Sequence, residues 1–177
     1  MNQDTPIIFS DGTSFYDELG NKYNVHSKGL FILAPSASGK TYYIENQTEK
    51  DWIDGDYLWP VTNADLSNDD WDYDMEVVKE INRRSDVITY QAKKLGFWII
   101  GSSNDSLKPD AIVLLPIEKH MEYVQKRLEG QNSNGAKKED VDALLEHRKI
   151  IGLWVDQGVP SFGSVEMAVE YLTESSI

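Results

Sequence analysis

The residues Ala34-Pro35-Ser36-Ala37-Ser38-Gly39-Lys40-Thr41 follow directly on the apolar run Leu30-Phe31-Ile32-Leu33. That order describes a buried strand that breaks into a small-residue loop and reopens as a helix. Such a loop can turn successive backbone N–H groups toward one point and set an anion at a helix N-terminus. Lys40 would add a point charge for β- and γ-phosphates, and Thr41 a hydroxyl ligand for Mg²⁺. Against the phosphate-loop template G-x-x-x-x-G-K-S/T, the chain has Ala34 where the first Gly belongs. Ala is the smallest departure available, and it is tolerable if φ there is negative. The expected phosphate contacts are therefore Ala34, Ser36, Ala37, Ser38, Gly39, Lys40 and Thr41.

A second constellation lies downstream, where the short run Asp51-Trp52-Ile53 delivers Asp54-Gly55-Asp56 to the end of a strand. In parallel α/β sheets ligands sit beyond the carboxyl ends of the strands, so two carboxylates flanking a glycine are well placed there. Asp54, with Thr41, could hold Mg²⁺, which needs few protein carboxylates. Asp56 could accept the proton of a hydroxyl acceptor. The chain has four arginines, Arg83, Arg84, Arg127 and Arg148. Arg83 and Arg84 fall mid-helix and are expected in solvent, whereas Arg127 is expected to reach the phosphates as a catalytic cation, with Arg148 as a second phosphate ligand. His26, His120 and His147 have no ligand-type spacing and are expected on the surface or satisfied in place.

The elements that must position these groups follow from patterning. Residues 1–28 are expected to form a β-hairpin appendage, from strands at Ile7-Ile8-Phe9 and Tyr23-Asn24-Val25 with turns at Asp11-Gly12 and Gly20-Asn21. Such an appendage could cover a sheet edge, form an oligomer contact or act as a lip over the nucleotide site; a homodimer is one assembly it allows. Residues 29–177 are expected to form one domain: a short helix over 41–48, a long one over 75–95 closed by Gly96, strands at 97–100 and 111–115, helices over 116–128 and 141–154, a weak strand at 159–162, and a last helix capped by Ser164. Continuous apolar runs alternating with helices mean strands buried on both faces, hence an α/β fold with a central parallel sheet and helices on both faces. Residues 129–140, polar and glycine-punctuated, are the candidate lid.

Composition narrows the partners. Among 177 residues, 17 Lys and Arg face 30 Asp and Glu, for a net charge of −13, which opposes an extended nucleic-acid footprint. With no cysteine there is no disulfide and no thiol nucleophile. No secretory signal or membrane-length apolar run is visible, so a cytoplasmic location is expected.

The stretch Asp54-Gly55-Asp56-Tyr57-Leu58-Trp59-Pro60-Val61-Thr62-Asn63 resembles the D-G-D-x-L-H-P-x-x-N segment of bacterial gluconate kinases, and Leu66-Ser67-Asn68-Asp69-Asp70 resembles the acidic stretch that follows it. Shikimate and adenylylsulfate kinases share the shorter D-x-D. The resemblance implies a P-loop kinase fold, ATP and Mg²⁺ as cofactors, Asp54 on the metal side and Asp56 on the acceptor hydroxyl. Acceptor contacts are then expected at Asp56, Trp59, Asn63 and Ser102. Trp59 stands where the family has His, and Trp71 where it has Arg; with Tyr57 and Tyr73 these rings suit a flat or aromatic acceptor, or else core packing. The expected activity is transfer of the γ-phosphate of ATP to a hydroxyl of a small molecule, a nucleoside or modified nucleotide among the candidates. The alternatives are a nucleoside monophosphate kinase, a kinase of hydroxymethylated bases in DNA, and a non-catalytic ATP-binding regulator.

Overall fold

A computed structural model describes residues 15–62, 75–131 and 135–175 of the chain. The elements are α1 (Phe15–Lys22), β1 (Leu30–Leu33), α2 (Lys40–Asn46), β2 (Trp52–Asp54), a 3-10 turn (Gly55–Thr62), α3 (Met75–Lys94), β3 (Trp98–Gly101), β4 (Ala111–Val113), α4 (Ile117–Gln131), α5 (Lys138–Gly152), a second 3-10 turn (Leu153–Gln157), β5 (Ser161–Phe162) and α6 (Val165–Glu174). The five strands form one parallel sheet in the order β2-β3-β1-β4-β5, flanked by helices. The chain divides into two compact units, Met1–Phe31 with Gln47–Leu107, and Ile32–Asn46 with Lys108–Ile177.

In the first unit β2 and β3 pair in the register Trp52↔Trp98, Ile53↔Ile99 and Asp54↔Ile100. Ile53, Ile99 and Ile100 are fully buried, as a strand covered on both faces requires. Helix α3 lays Ile81, Ser85, Ile88 and Ala92 inward at helical spacing. It ends in a Schellman closure: Phe97 N–H bonds to Ala92 C=O and Gly96 N–H to Lys93 C=O. Gly96 has a φ of 96°, and a Cβ there would stand 2.1 Å from the His26 carbonyl, so both the turn and the close approach require glycine.

The expected hairpin over 1–28 is corrected where it can be seen. Residues 15–22 form helix α1, and residues 23–28 form no strand but are bonded in place, Asn24 N–H to Lys50 C=O and His26 N–H to Gly96 C=O. Residues 1–14, with the first expected strand, lie outside the described residues. The Gly20-Asn21 pair reads locally as a turn, but Tyr16 and Leu19 are buried three residues apart, and that burial selects the helix. Tyr16 donates its hydroxyl hydrogen to Gln91 Oε1 of α3, and Glu18 pairs with Lys22 one turn on at 2.8 Å.

In the second unit the end of β1 pairs with β4 (Ile32↔Ala111, Leu33↔Ile112) and β4 with β5 (Ile112↔Ser161, Val113↔Phe162). Helix α6 packs on β4, β5 and α2, burying Val165, Ala168, Val169 and Leu172. Ser164 caps it as expected, its Oγ accepting the Met167 N–H at 3.2 Å. Helices α4 and α5 close on a small core of Val124, Leu128 and Val141.

Both ends of the candidate lid are helical. Residues 129–131 are the last residues of α4, residues 138–140 open α5, and Ala136 packs against the Val124–Leu128–Val141 core. Residues 132–134 lie outside the described residues. The apolar face of each helix runs farther than the polar composition suggests, because Leu128 and Val141 meet across the connection.

Candidate functional site

The 34–41 loop lies wholly in the second unit. Ala34 is fully buried at the end of β1. The one described non-glycine residue with positive φ is Ala37, at 62°, so Ala34 takes an ordinary negative φ and tolerates the missing glycine. Ala37 in the left-handed region costs about 1–2 kcal/mol. Gly39, two residues on, has a φ of 89°, and a Cβ there would meet nothing within 4 Å. Positive φ values spaced this way are the backbone geometry in which N–H groups converge into an anion-binding nest. Ser38, buried, donates its hydroxyl to the Pro35 carbonyl and ties the loop across its base. The first helical bond of α2 runs from Tyr43 N–H to Gly39 C=O at 3.0 Å, which leaves Lys40 and Thr41 in the opening turn. Lys40 is buried to 8% exposure and Thr41 is exposed.

Helices α4 and α5 hold this loop at two adjacent residues. The methyl group of Ala37 packs on the Val124–Leu128–Val141 core. His120 of α4, fully buried, places Nε2 2.9 Å from the Ser36 carbonyl oxygen, and Nη1 of Arg148 on α5 lies 3.1 Å from His120 Nδ1. A guanidinium can only donate and a carbonyl can only accept. The ring is therefore neutral, with the proton on Nε2. Burial lowers the His120 pKa below its ordinary value; the Ser36 carbonyl opposes this and the charge of Arg148 reinforces it. Burial also lowers the Arg148 pKa.

Beside the loop lies a cavity of about 440 Å³ whose wall includes Ala37, Ser38 and Gly39. Its apolar side is Leu115 with the rings of Tyr42 and Tyr123, its cations are Lys119 and Arg127, and Ser164 and Glu166 line it from the start of α6. Lys119 Nζ sits 5.7 Å from the centre of the Tyr123 ring, within cation–π range. Arg127 thus reaches the cavity that the loop borders, while Arg148 reaches the loop through His120.

The acidic pair belongs to the first unit. β2 ends at Asp54, and Asp54 Oδ1 accepts the Asp56 N–H at 2.9 Å, so the first carboxylate caps the 3-10 turn that carries the second. Asp56 is exposed and Asp54 partly buried. Gly55 between them is in close contact with β3: a Cβ at Gly55 would stand 2.7 Å from Gly101 Cα. Ser102 follows β3 directly and is partly buried. Tyr57 of the turn is held by α1, its hydroxyl 2.6 Å from Lys22 Nζ and donating to Glu18 Oε1 at 3.1 Å. Hydrogen bonds from Lys22 and Tyr57 lower the Glu18 pKa, and hydrogen bonds to Glu18 and Tyr57 raise that of Lys22. Trp59 lies in the turn, but its side chain, like Asn63, Trp71 and Tyr73, lies outside the described residues.

Among the described residues no group of three or more His, Asp or Glu side chains could hold a metal ion, and no helix is long and apolar enough to cross a membrane. Arg83 and Arg84 pair with Glu80 on α3 at 3.1 and 2.9 Å, which occupies them locally. Sequence reasoning missed His120 as a loop contact, the cavity residues Tyr42, Leu115, Lys119, Tyr123 and Glu166, and the α1 residues on Tyr57. The i, i+4 spacing of Lys119 and Tyr123 was the one available signal for them.

No family model matches the chain, and no curated protein or solved structure matches it either.

Proposed function

We propose that this protein is an ATP-dependent phosphotransferase that moves the γ-phosphate of ATP to a hydroxyl of a small molecule. One observation carries the reading: the 34–41 loop, with positive φ at Ala37 and Gly39 and Lys40 buried at its end, borders a cavity lined by aromatic rings and two cations. The donor set fits a nucleotide. Backbone N–H groups of a nest suit phosphate oxygens, tyrosine rings suit a base, and Arg127 and Lys119 suit the charge of a triphosphate. In this reading Lys40 binds the β- and γ-phosphates, Arg127 faces the transferring group, and the Thr41 hydroxyl is a ligand for Mg²⁺. When bound, that ion would neutralise charge on the phosphate oxygens. The sequence resemblance assigns Asp54 to the metal side and Asp56 to the acceptor, where Asp56 would take the hydroxyl proton.

The open space at Gly39 supports the fit, since nothing fills the position facing the loop there. The two cations and net acidity of the rest of the chain favour a small, charged donor over a long polyanion. The aromatic stretch 57–73 keeps a nucleoside or modified nucleotide as the favoured acceptor class.

The test is ATP consumption by the purified chain over an acceptor panel of sugar acids, nucleosides, nucleoside monophosphates, hydroxymethylated pyrimidine nucleotides and DNA containing such bases, with Lys40→Ala as the control. Turnover on a hydroxyl acceptor that disappears in Lys40→Ala supports the reading. Turnover that survives Lys40→Ala refutes it. Turnover confined to monophosphates would make the protein a nucleoside monophosphate kinase, and tight ATP binding with no turnover on any acceptor would make it a nucleotide-binding regulator.

A further inference from the structure

The peptide joining Ser36 to Ala37 is held from the side of α4 and α5. Its carbonyl accepts from His120 Nε2 at 2.9 Å, and the methyl of the following residue packs on the α4–α5 core. In a trans peptide the C=O and the next N–H point in opposite directions. Fixing the Ser36 carbonyl toward α4 therefore fixes the Ala37 N–H away from α4. The opposing tendency is visible in the backbone: Ala37 has a φ of 62°, and flipping this one peptide would return Ala37 to the ordinary negative range. A flip would also turn a carbonyl oxygen to where an N–H had pointed, and a carbonyl repels an anion.

We infer that His120 is a positioning residue that locks the Ser36–Ala37 peptide in its anion-binding orientation, with Arg148 fixing the ring in the one tautomer that can do so. The inference rests on reading the 34–41 loop as a phosphate cradle. Arg148 Nη1 donates to Nδ1, which forces the proton onto Nε2, and Nε2–H in turn holds the carbonyl. The chain of contacts runs from α5 through α4 to the loop, so the packing of the α4–α5 pair sets whether the loop can receive phosphate. His120 touches no phosphate itself; it acts through the peptide.

The test has two arms on the full chain. Long-range ¹H–¹⁵N spectra of the histidine rings read the tautomer without any nucleotide: His120 is expected as neutral Nε2–H, and Arg148→Met is expected to release it to a mixture containing Nδ1–H. Calorimetric titration with MgATP reads the loop. His120→Phe keeps an aromatic ring and removes the donor, and its affinity is expected to fall about tenfold or more, as leaving a partly buried acceptor unpaired implies. His120→Gln offers a carboxamide N–H to the same carbonyl and is expected to recover to within about threefold of the parent. An Nδ1–H ring in the parent, or full affinity in a folded His120→Phe, overturns the inference. If the parent chain binds no MgATP, the cradle reading is what fails, and the tautomer arm decides the lock independently: an Nε2–H ring released by Arg148→Met supports it, and a ring indifferent to Arg148→Met overturns it.

Discussion

Gly55 offers a sharp test of how the acidic pair is held. Its φ is not positive, so alanine is allowed by backbone conformation, and the cost of Gly55→Ala comes from space alone. The new Cβ would stand 2.7 Å from Gly101 Cα, 3.3 Å from the Ile100 carbonyl oxygen and 3.5 Å from Gly101 N, against an ordinary contact of at least 3.4 Å. These neighbours are backbone atoms of β3, so no side chain can swing aside. The last pair of the β2–β3 ladder, Asp54 with Ile100, must open by about 0.7 Å or bend. Overpacking of this kind costs about 1–3 kcal/mol. Alanine also restricts the unfolded chain, which returns about 0.4–1 kcal/mol. The expected net loss is about 1–2 kcal/mol, or about a five- to thirtyfold rise in the unfolded fraction. Gly101→Ala is the matched control: its Cβ would lie 3.3 Å from the Phe31 ring and 3.9 Å from Gly55 Cα, and the ring can give way, so the change should stay within about 0.5 kcal/mol. Urea unfolding of both variants reads the difference directly. Because Gly55 sits between the two carboxylates, Gly55→Ala should also lower turnover more than its stability loss explains. Equal midpoints for Gly55→Ala and the parent, or a larger loss in Gly101→Ala, would refute the close-approach argument.

Asp56→Asn should cut turnover about 10²- to 10⁴-fold while ATP affinity holds, because only the acceptor proton is affected; parallel losses of binding and rate would assign Asp56 to the donor side. Gly20→Ala should stabilise the fold by about 0.5–1 kcal/mol, since Gly20 lies inside α1 and a Cβ there meets nothing within 4 Å; a destabilisation in thermal melts would restore the turn that the sequence suggests. Acid should weaken the fold through two histidines. Burial holds His120 and His147 below the ordinary 6.5, so the unfolded chain takes up protons first as pH falls through that value. The stability is fully present above it and declines below, and urea midpoints should drop between about pH 7.5 and about pH 5.5, before ordinary carboxylates titrate. A flat profile over that window would contradict the neutral state of both rings in the fold.

The strands and the loop were legible because each is a local statement. Leu30–Leu33 and Ala111–Val113 are apolar at every position, and only a sheet covered on both faces buries such runs, so the parallel sheet followed from sequence. Small residues at 34–39 mark the break between β1 and α2, and Ser164 marks the start of α6 through its own hydroxyl. The misread elements depend on distant partners. Residues 15–22 are a helix because Tyr16 and Leu19 find a place to be buried, which Gly20 and Asn21 do not announce. Residues 129–131 and 138–140 are helix ends because Leu128 and Val141 share one core. His120 looked like an isolated histidine eighty-four residues from Ser36, and only the fold brings its ring to that carbonyl and to Arg148. The sequence by itself determined which groups can bear charge and where the chain must extend or turn. Tertiary structure decided which helix face meets which loop, and with it the direction of a single peptide, because burial and hydrogen bonding between distant residues outweigh the small local preferences that sequence patterns report.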